Sequence, residues 1–470
     1  MSEHSFDLVV VGTGSGLDVA NGAVEAGWDV AIVEKGAAGG TCLNRGCIPS
    51  KMLIHSADVA ETLREADKFG IRSGGFTVDY AAVMRRVREH VDGESRMIDE
   101  ALRAGTNPRY FVGEGRFVGT KRLQVGTDVL VADRFVLATG ARPRIPDIPG
   151  LRETGFLTSE EALSCPTLPE SLVILGGGFI AAELGHFFGA LGTRVTIVQK
   201  HDVLLPREDR EVSERFTTAF SKKHRVILSA EATHVERYGS RIRVHVRSLA
   251  GPEVIEAQDI LVAVGLRSNS DTLNLDRTGV RTDKRGLIVV DEFLETSQPG
   301  IFSLGDAVGR HNLKHAANHE AQYVYQNLVR PDERMKVDYL AMPRAVFSLP
   351  QVAAVGSAEE QLIESGVPYL VGRWSHYDTG MGKAIEDVDG FVKLLVTPGS
   401  GKILGCHILG KEASTLIHEV VLAMTLGATA NEIAGTIHIH PALSEVVQRA
   451  AANLIDPSTP AREHTSPAPS

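Results

Sequence analysis

One pattern occurs twice in this chain of 470 residues and limits its fold more than any other feature. A short apolar run, residues 6–11, stops at Gly12-Thr13-Gly14-Ser15-Gly16. A helical stretch over 18–27 follows, then a second apolar run over 29–33 that ends at Glu34. Residues 171–175, the turn Gly176-Gly177-Gly178, a helical stretch over 181–191 and a run at 194–198 repeat the arrangement about 160 positions later. Strand, glycine turn and helix in that order make a βαβ unit, whose helix N-terminus offers unpaired N–H groups to a phosphate. The chain is therefore expected to be α/β, with two copies of a nucleotide-binding unit.

The two copies differ where it matters chemically. Gly12 and Gly14 let backbone approach a pyrophosphate, and Glu34 follows Gly12 by 22 positions, near the spacing of a carboxylate that holds an adenosine ribose. The third fingerprint position is Leu17, with Gly16 beside it. The bland alternative is an ordinary strand–helix turn. In the second copy Gly176, Gly178 and Ala181 keep the fingerprint, but its strand ends Val198-Gln199-Lys200-His201 with Arg207 just beyond. A carboxylate there would repel a 2′-phosphate, whereas Lys200, His201 and Arg207 attract one, so NADPH is expected over NADH. A solvated basic turn is the competing reading.

Other segments place these copies in a larger chain. Residues 135–140 read as a strand closing at Gly140, residues 260–265 repeat it at Gly265, and 301–306 form a further strand-to-turn element ending at Asp306. Beyond 341 come β-rich runs (345–355, 391–396) and a helix with Leu416, Val420, Ala423 and Met424 on one face, capped at Gly427. The length suggests about three domains. They are expected as a first nucleotide domain in two parts, 1–148 and 272–340, a second over 149–271, and a C-terminal α+β domain over 341–455. A polar, Pro/Ser-rich tail over 456–470 is expected to be disordered.

Only four cysteines occur, and two of them, Cys42 and Cys47, are close neighbours preceded by Gly39 and Gly40. In a reducing compartment such a pair reads as catalytic or metal-binding before structural. Zinc would need further ligands, and Cys165 and Cys406 are isolated and expected to be buried apolar residues. A helix opening near Pro49 would lower a thiolate pKa. Near the end of the chain, His440 is followed by Glu445, with a helix expected from Pro441. The carboxylate can raise the basicity of the imidazole and fix its tautomer, although a His-Pro at a helix start is also a common structural feature. Beside a redox cysteine pair the acid–base reading strengthens, because thiolate formation and departure both need a proton carrier. Net charge is −10 and no basic block occurs, which argues against a nucleic-acid partner. No secretory signal pattern or bilayer-length apolar run is present, and a cytoplasmic protein with no membrane contact is expected.

The segments Gly39-Gly-Thr-Cys-Leu-Asn-Arg-Gly-Cys-Ile-Pro-Ser-Lys51, Ala138-Thr-Gly140, Leu304-Gly-Asp306 and His440-Pro441 through Glu445 appear together and in order. The chain resembles the class I flavoprotein disulfide reductases from about residue 6 to 454. That resemblance implies two nested Rossmann-like domains, for FAD and NAD(P)H, and a C-terminal dimerisation domain. It implies that Gly12, Gly14 and Glu34 hold the ADP half of FAD, that Asp306 binds the flavin side, and that Lys51, paired with Glu183, lies near flavin N5. Phe179 falls where the family gates its nicotinamide pocket. Gly40, Thr41, Thr139, Gly140, Gly265 and His315 fall at further cofactor positions. Cys47 would be the thiolate next to the flavin and Cys42 the interchange thiol. His440 with Glu445 would act on the disulfide of the other subunit, so a homodimer is implied, with a small-molecule disulfide as substrate. Gly12 to Gly16, Phe179 to Glu183 and Lys314 to Ala321 look most like mycothione reductase, while the redox motif reads like dihydrolipoamide dehydrogenase apart from an unusual Arg45. A dehydrogenase oxidising dihydrolipoamide with NAD, and a docking subunit of a 2-oxoacid dehydrogenase complex, are the alternatives. Mercuric and large thioredoxin reductases fit less well, because they carry a second C-terminal thiol or selenol pair and no cysteine follows Cys406.

Overall fold

The structure, a computed structural model, describes residues 2–458. Residues 456–458 of the expected tail form a turn, and the rest of that stretch lies outside the described residues. The chain divides into two compact units, one holding residues up to Lys200 together with 226–338, the other holding 201–225 and the residues from Tyr339 onward.

In the first unit the run Leu8, Val9, Val10 is fully buried, as a strand covered on both faces must be. The strand Ser2–Val11 runs parallel to Val30–Glu34 on one side and to Asp128–Leu137 on the other. Arg109–Val112 extends the sheet beyond the former, Arg122–Val125 and Gly115–Gly119 beyond the latter, and Ile301–Ser303 also pairs with Asp128–Leu137. Val11 stands opposite both Val33 and Leu137, and Ser303 opposite Leu137, so the parallel strands finish at one level. The turns after those carboxyl ends, at Gly12, Ala138 and Leu304, therefore share one edge, the usual place for a ligand in an open parallel sheet.

A second, four-stranded sheet repeats the layout with the order Arg225–Ile227, Arg194–Val198, Ser171–Leu175, Asp259–Val262. A three-stranded antiparallel sheet (Glu231–Tyr238, Arg241–Ser248, Gly251–Ala257) accompanies it. The helices that follow the glycine turns are Gly16–Glu25 and Phe179–Ala190, each starting two residues earlier than periodicity alone suggests. The glycine turn feeds straight into the first helical residue, so no spacer is needed.

The second unit is built on a six-stranded antiparallel sheet in the order Arg344–Val346, Gln351–Gly356, Ile403–Gly410, Phe391–Val396, Leu370–Ser375, Leu454–Ile455. Val392, Leu394 and Val396 meet Ile417, Val420 and Met424 of the helix Ala413–Leu426, which ends at Gly427 in the left-handed conformation. Residues 201–225, inside the stretch expected as the second nucleotide domain, group with this unit. Within it the fully buried Lys393 places its ammonium 2.8 and 2.9 Å from the two Asp209 oxygens, beside Glu359 and Glu211. A buried cation needs such partners, and Asp209 brings the helix Arg210–Ser221 with it.

Candidate active site

Gly12 has φ +110°, and a Cβ there would lie 2.4 Å from the Ala138 carbonyl oxygen. Gly176 has φ +106°, and its Cβ would lie 2.4 Å from the Ala263 oxygen. Both positions admit only glycine, for conformation and for space. The internal repeat thus extends to the stereochemistry of the two turns.

Around the first turn the structure encloses a cavity of about 290 Å³, lined by residues of the first unit only. It brings together Gly12, Gly14, Glu34, Gly40, Thr41, Cys42, Cys47, Lys51, Thr139, Gly140, Phe179, Glu183 and Asp306. Glu34 ends its strand with one carboxylate oxygen accepting from Thr13 N (3.0 Å) and Thr13 Oγ1 (2.7 Å), the other from Gly36 N (2.9 Å). A Cβ on Gly40 would come within 2.7 Å of Gly14 Cα, so the turn before the cysteines packs against the first glycine turn. Thr139 Oγ1 is buried in this wall with no protein partner. A buried hydroxyl left unsatisfied is costly, which fits a polar, elongated cofactor such as FAD supplying the missing hydrogen bond.

The redox motif folds as two helices rather than one. Cys42 lies on the short helix Gly40–Arg45, and Cys47 opens the helix Cys47–Glu65, with Gly46 between them. Gly46 leaves the helical region (φ −144°, ψ −115°) and turns the chain, and a side chain there would press 2.9 Å against the Thr41 oxygen. Asn44 braces the loop by donating to the Ala38 and Gly40 oxygens (2.9 and 3.0 Å). Lys51 is one turn beyond Cys47 on the same helix face. Its ammonium sits 2.9 and 2.8 Å from the two oxygens of Glu183, which is buried. Phe179, at the first position of its helix and one turn before Glu183, is 44% exposed and borders the same cavity.

Both cysteines are half-buried thiols. The Cys47 thiol, hydrogen-bonded to Cys42, pulls the Cys42 pKa down to about 7, helped by the Lys314 charge and by the N–H groups of Cys47 and Ile48 against the opposing effect of burial. Cys47 is driven the other way, by its bond to Cys42 and then by burial. One proton leaves this pair readily and the second does not. After reduction, alkylation by iodoacetamide is therefore expected to fall on Cys42 first, at a rate that rises with pH to half its plateau near pH 7. A midpoint near the ordinary thiol value, or equal labelling of both sulfurs, would contradict this reading. Asp306 is pushed up by burial, with Asn312 hydrogen-bonded to it in opposition.

Other expected residues lie elsewhere. Gly176 and Gly178 belong to the second turn, Gly265 follows the strand Asp259–Val262, and none of the three lines this cavity. Lys200 is exposed just past its strand, while His201 and Arg207 are exposed in the second unit. His315 is exposed on the first turn of the helix Lys314–Val329 and does not reach the cavity wall, which its neighbour Lys314 lines instead. His440 and Glu445 sit in the second unit. The helix begins at Glu445 rather than Pro441, because the carboxylate folds back onto the preceding loop. His440 Nδ1 lies 3.0 Å from Glu445 Oε1, and Ala442 N donates to Oε2 at 3.2 Å. The His440 ring, followed by the Ala442 N–H, holds the Glu445 carboxyl below its ordinary range. A carboxylate only accepts, so Nδ1 carries the proton and Nε2 is left for chemistry on a side chain that is 76% exposed. His438, two residues earlier, is instead engaged on both ring nitrogens, by the Thr436 oxygen and by Glu419.

Paired glycine turns, a polarised dithiol and a lysine–carboxylate pair beside it define a flavin-dependent disulfide oxidoreductase. The family model described as pyridine nucleotide-disulphide oxidoreductase matches residues 6–322, and that of the same family's dimerisation domain matches residues 342–451. The chain belongs to this family of FAD-binding enzymes that work with NAD(P)H. It is 38% identical over 464 residues to mycothione reductase of Mycobacterium tuberculosis, covering 96% of this chain and all of that protein. It is 37% identical over 461 residues to dihydrolipoyl dehydrogenase of Chlorobaculum parvum, covering 96% and 97% of the two chains. Among solved structures, the Cu(II) complex of the HOCl-induced flavoprotein disulfide reductase RclA from Escherichia coli superposes with a TM-score of 0.86 at 27% identity, covering 96% of this chain and 99% of that one. Among the described residues no helix is long and apolar enough to cross a membrane.

Proposed function

We propose that the chain is a homodimeric, cytoplasmic NADPH-dependent reductase of a small-thiol disulfide, of the mycothione reductase kind. The observation that carries the coenzyme choice is the equivalence of Glu34 and Gln199. Gly12 N donates to Val33 O at 2.8 Å and Gly176 N to Val198 O at 2.9 Å, so the next residues, Glu34 and Gln199, hold the same place in the two copies. The carboxylate of the first copy is replaced by a neutral amide, and Lys200 follows it. That combination tolerates a 2′-phosphate. Residues 1–148 and 272–340 are assigned to FAD, 149–271 to the nicotinamide coenzyme with Gly176, Gly178, Gly265, Lys200, His201 and Arg207, and 341–455 to dimerisation.

When bound, NADPH and FAD supply the electron pair that opens the Cys42–Cys47 disulfide. Lys51, held by Glu183, keeps a positive charge beside Cys47 as that charge arrives. As the Cys42 thiol attacks one sulfur of the substrate disulfide, its proton passes to His440 Nε2 of the second copy; a mixed disulfide forms, and the expelled thiolate takes that proton back from Nε2. Cys47 then attacks Cys42, restoring the internal disulfide and releasing the second thiol. The exposed Ile437 and Ile439 beside His440 support a loop that a second copy covers.

A second reading, dihydrolipoyl dehydrogenase, runs the same steps in reverse toward NAD, and the similarity to the Chlorobaculum parvum enzyme favours it. Steady-state turnover of the flavin-loaded protein with NADPH and NADH against mycothiol disulfide, bis-γ-glutamylcystine, glutathione disulfide and lipoamide separates them. NADPH-dependent reduction of one small-thiol disulfide, at least about tenfold above lipoamide in kcat/KM, is the expected result. Fast NAD-linked lipoamide turnover would overturn it.

A further inference from the structure

We infer that Asp58 and His186 are positioning residues of the redox centre: their hydrogen bond keeps Glu183 in register with Lys51, and through it the ammonium beside Cys47. The inference rests on the proposed place of Lys51 beside the cysteine pair, and it names what holds that lysine there.

Two helices meet here, and each starts at a residue of the cavity. One, Cys47–Glu65, opens with Cys47; the other, Phe179–Ala190, opens with Phe179. Three polar contacts join them. Lys51 Nζ lies 2.9 and 2.8 Å from the two Glu183 oxygens, and His186 Nε2 lies 2.8 Å from Asp58 Oδ1. At the far end the Arg64 guanidinium donates to the Ala190 oxygen. The partners ascend in the same order along both helices, so the two run side by side in one direction. Glu183 and His186 stand one turn apart on one helix, Lys51 and Asp58 two turns apart on the other.

Packing alone does not call for a histidine at 186. The buried side chains around it on its own helix are Ala181, Ala182, Leu184, Phe187 and Phe188. Glu183 and His186 are the buried polar ones, and both reach the helix that carries Cys47. The His186 side chain is 3% exposed and that of Asp58 42%. A carboxylate only accepts, so Nε2 carries the proton of this bond. A buried polar pair adds little stability over an apolar pair of similar volume, and its best-attested use is to fix register. Register is what the Lys51–Glu183 contact needs. Reduction brings negative charge to the cysteine pair, one turn from Lys51, and pulls the ammonium against its hold on Glu183. The Asp58–His186 bond lies two turns farther along the helix and keeps the two helices matched as that charge comes and goes.

The test measures the dithiol–disulfide equilibrium of Cys42 and Cys47 in the flavin-loaded holoenzyme. Protein is equilibrated without oxygen in glutathione redox buffers at mildly alkaline pH, quenched with acid, denatured and alkylated. Mass spectrometry then gives the reduced fraction, with no nicotinamide coenzyme present. A well-placed ammonium favours the charged, reduced pair. His186→Leu is therefore expected to shift the equilibrium about fivefold toward the disulfide, with flavin content and thermal melting near wild type. Lys51→Met is expected to shift it about tenfold, and adding His186→Leu to Lys51→Met should shift it no further. Asp58→Asn, whose amide oxygen still accepts from Nε2, should stay near wild type. An unchanged equilibrium in His186→Leu, or an equal further shift when Lys51 is already absent, overturns the inference. Asp58→Leu is read in the same way should the histidine variant lose its flavin. An unchanged equilibrium in Lys51→Met would remove the proposed role of Lys51, and the inference with it. Failure of the wild-type protein to reduce any small-thiol disulfide would instead overturn the proposed substrate class and leave this result standing.

Discussion

Cys42→Ser is expected to lower disulfide turnover at least about 10³-fold while the protein still binds flavin and still passes electrons from NADPH to an artificial acceptor. The expected size follows from chemistry rather than position. Only a thiolate attacks a disulfide sulfur at neutral pH, and a serine hydroxyl in the same place is neither ionised nor able to form the mixed disulfide. The replacement removes one polarisable atom from a half-buried site and leaves the surrounding scaffold in place. Leu43 stays buried, Asn44 still braces the Ala38 and Gly40 carbonyls, and Lys51 still meets Glu183. The glycine turns and Glu34, which the proposed function assigns to the flavin, are not touched by the substitution. Steady-state assays with a disulfide and with a dye acceptor on the same preparation check both halves. Retained disulfide turnover would remove Cys42 from the mechanism.

His440→Gln is expected to lower turnover by about 10² to 10⁴-fold and to flatten the pH profile of what remains. Glutamine can keep a hydrogen bond toward Glu445 but cannot carry a proton to a departing thiolate. Glu445→Gln should cost less than the loss of the histidine, because the imidazole persists and loses only the group that fixes its tautomer at 3.0 Å. His438→Gln gives the internal comparison. That ring is engaged on both nitrogens, at 2.9 Å by the Thr436 oxygen and at 2.7 Å by Glu419, so its replacement should leave the pH profile intact. Single-turnover reduction of the disulfide across pH distinguishes these outcomes. A His440→Gln enzyme with an unaltered pH profile would assign the proton to another donor.

How much of this was legible in the sequence depends on the range of the interaction that decides each feature. The two glycine turns, Glu34 and its counterpart Gln199 are set by residues within one βαβ unit, and a local pattern reveals them. The pairing of Lys51 with Glu183 spans 132 positions and came only through family resemblance. The two-helix form of the redox motif rests on the non-helical backbone of Gly46, where a side chain would meet the Thr41 oxygen, and periodicity does not reveal it. His315 was expected at the cofactor and Lys314 was not. Which residue of that helix turns inward is decided by Ser15 and Asn318, groups 303 positions apart in the chain. The helix Arg210–Ser221 groups with the second unit through Asp209 and Lys393, 184 positions apart, and nothing nearby in the sequence announces that pairing.

The register that matches Gln199 with Glu34 also bears on how such enzymes diverge. An amide and a carboxylate differ by one heavy atom, and their side chains have nearly the same size and reach. Exchanging them needs no backbone adjustment at the buried end of the strand, where Gln199 is 3% exposed. On the proposed reading of Gln199, one exchange at this position moves a chain between coenzyme pools while its cysteine pair, its lysine–glutamate clamp and its histidine stay as they were.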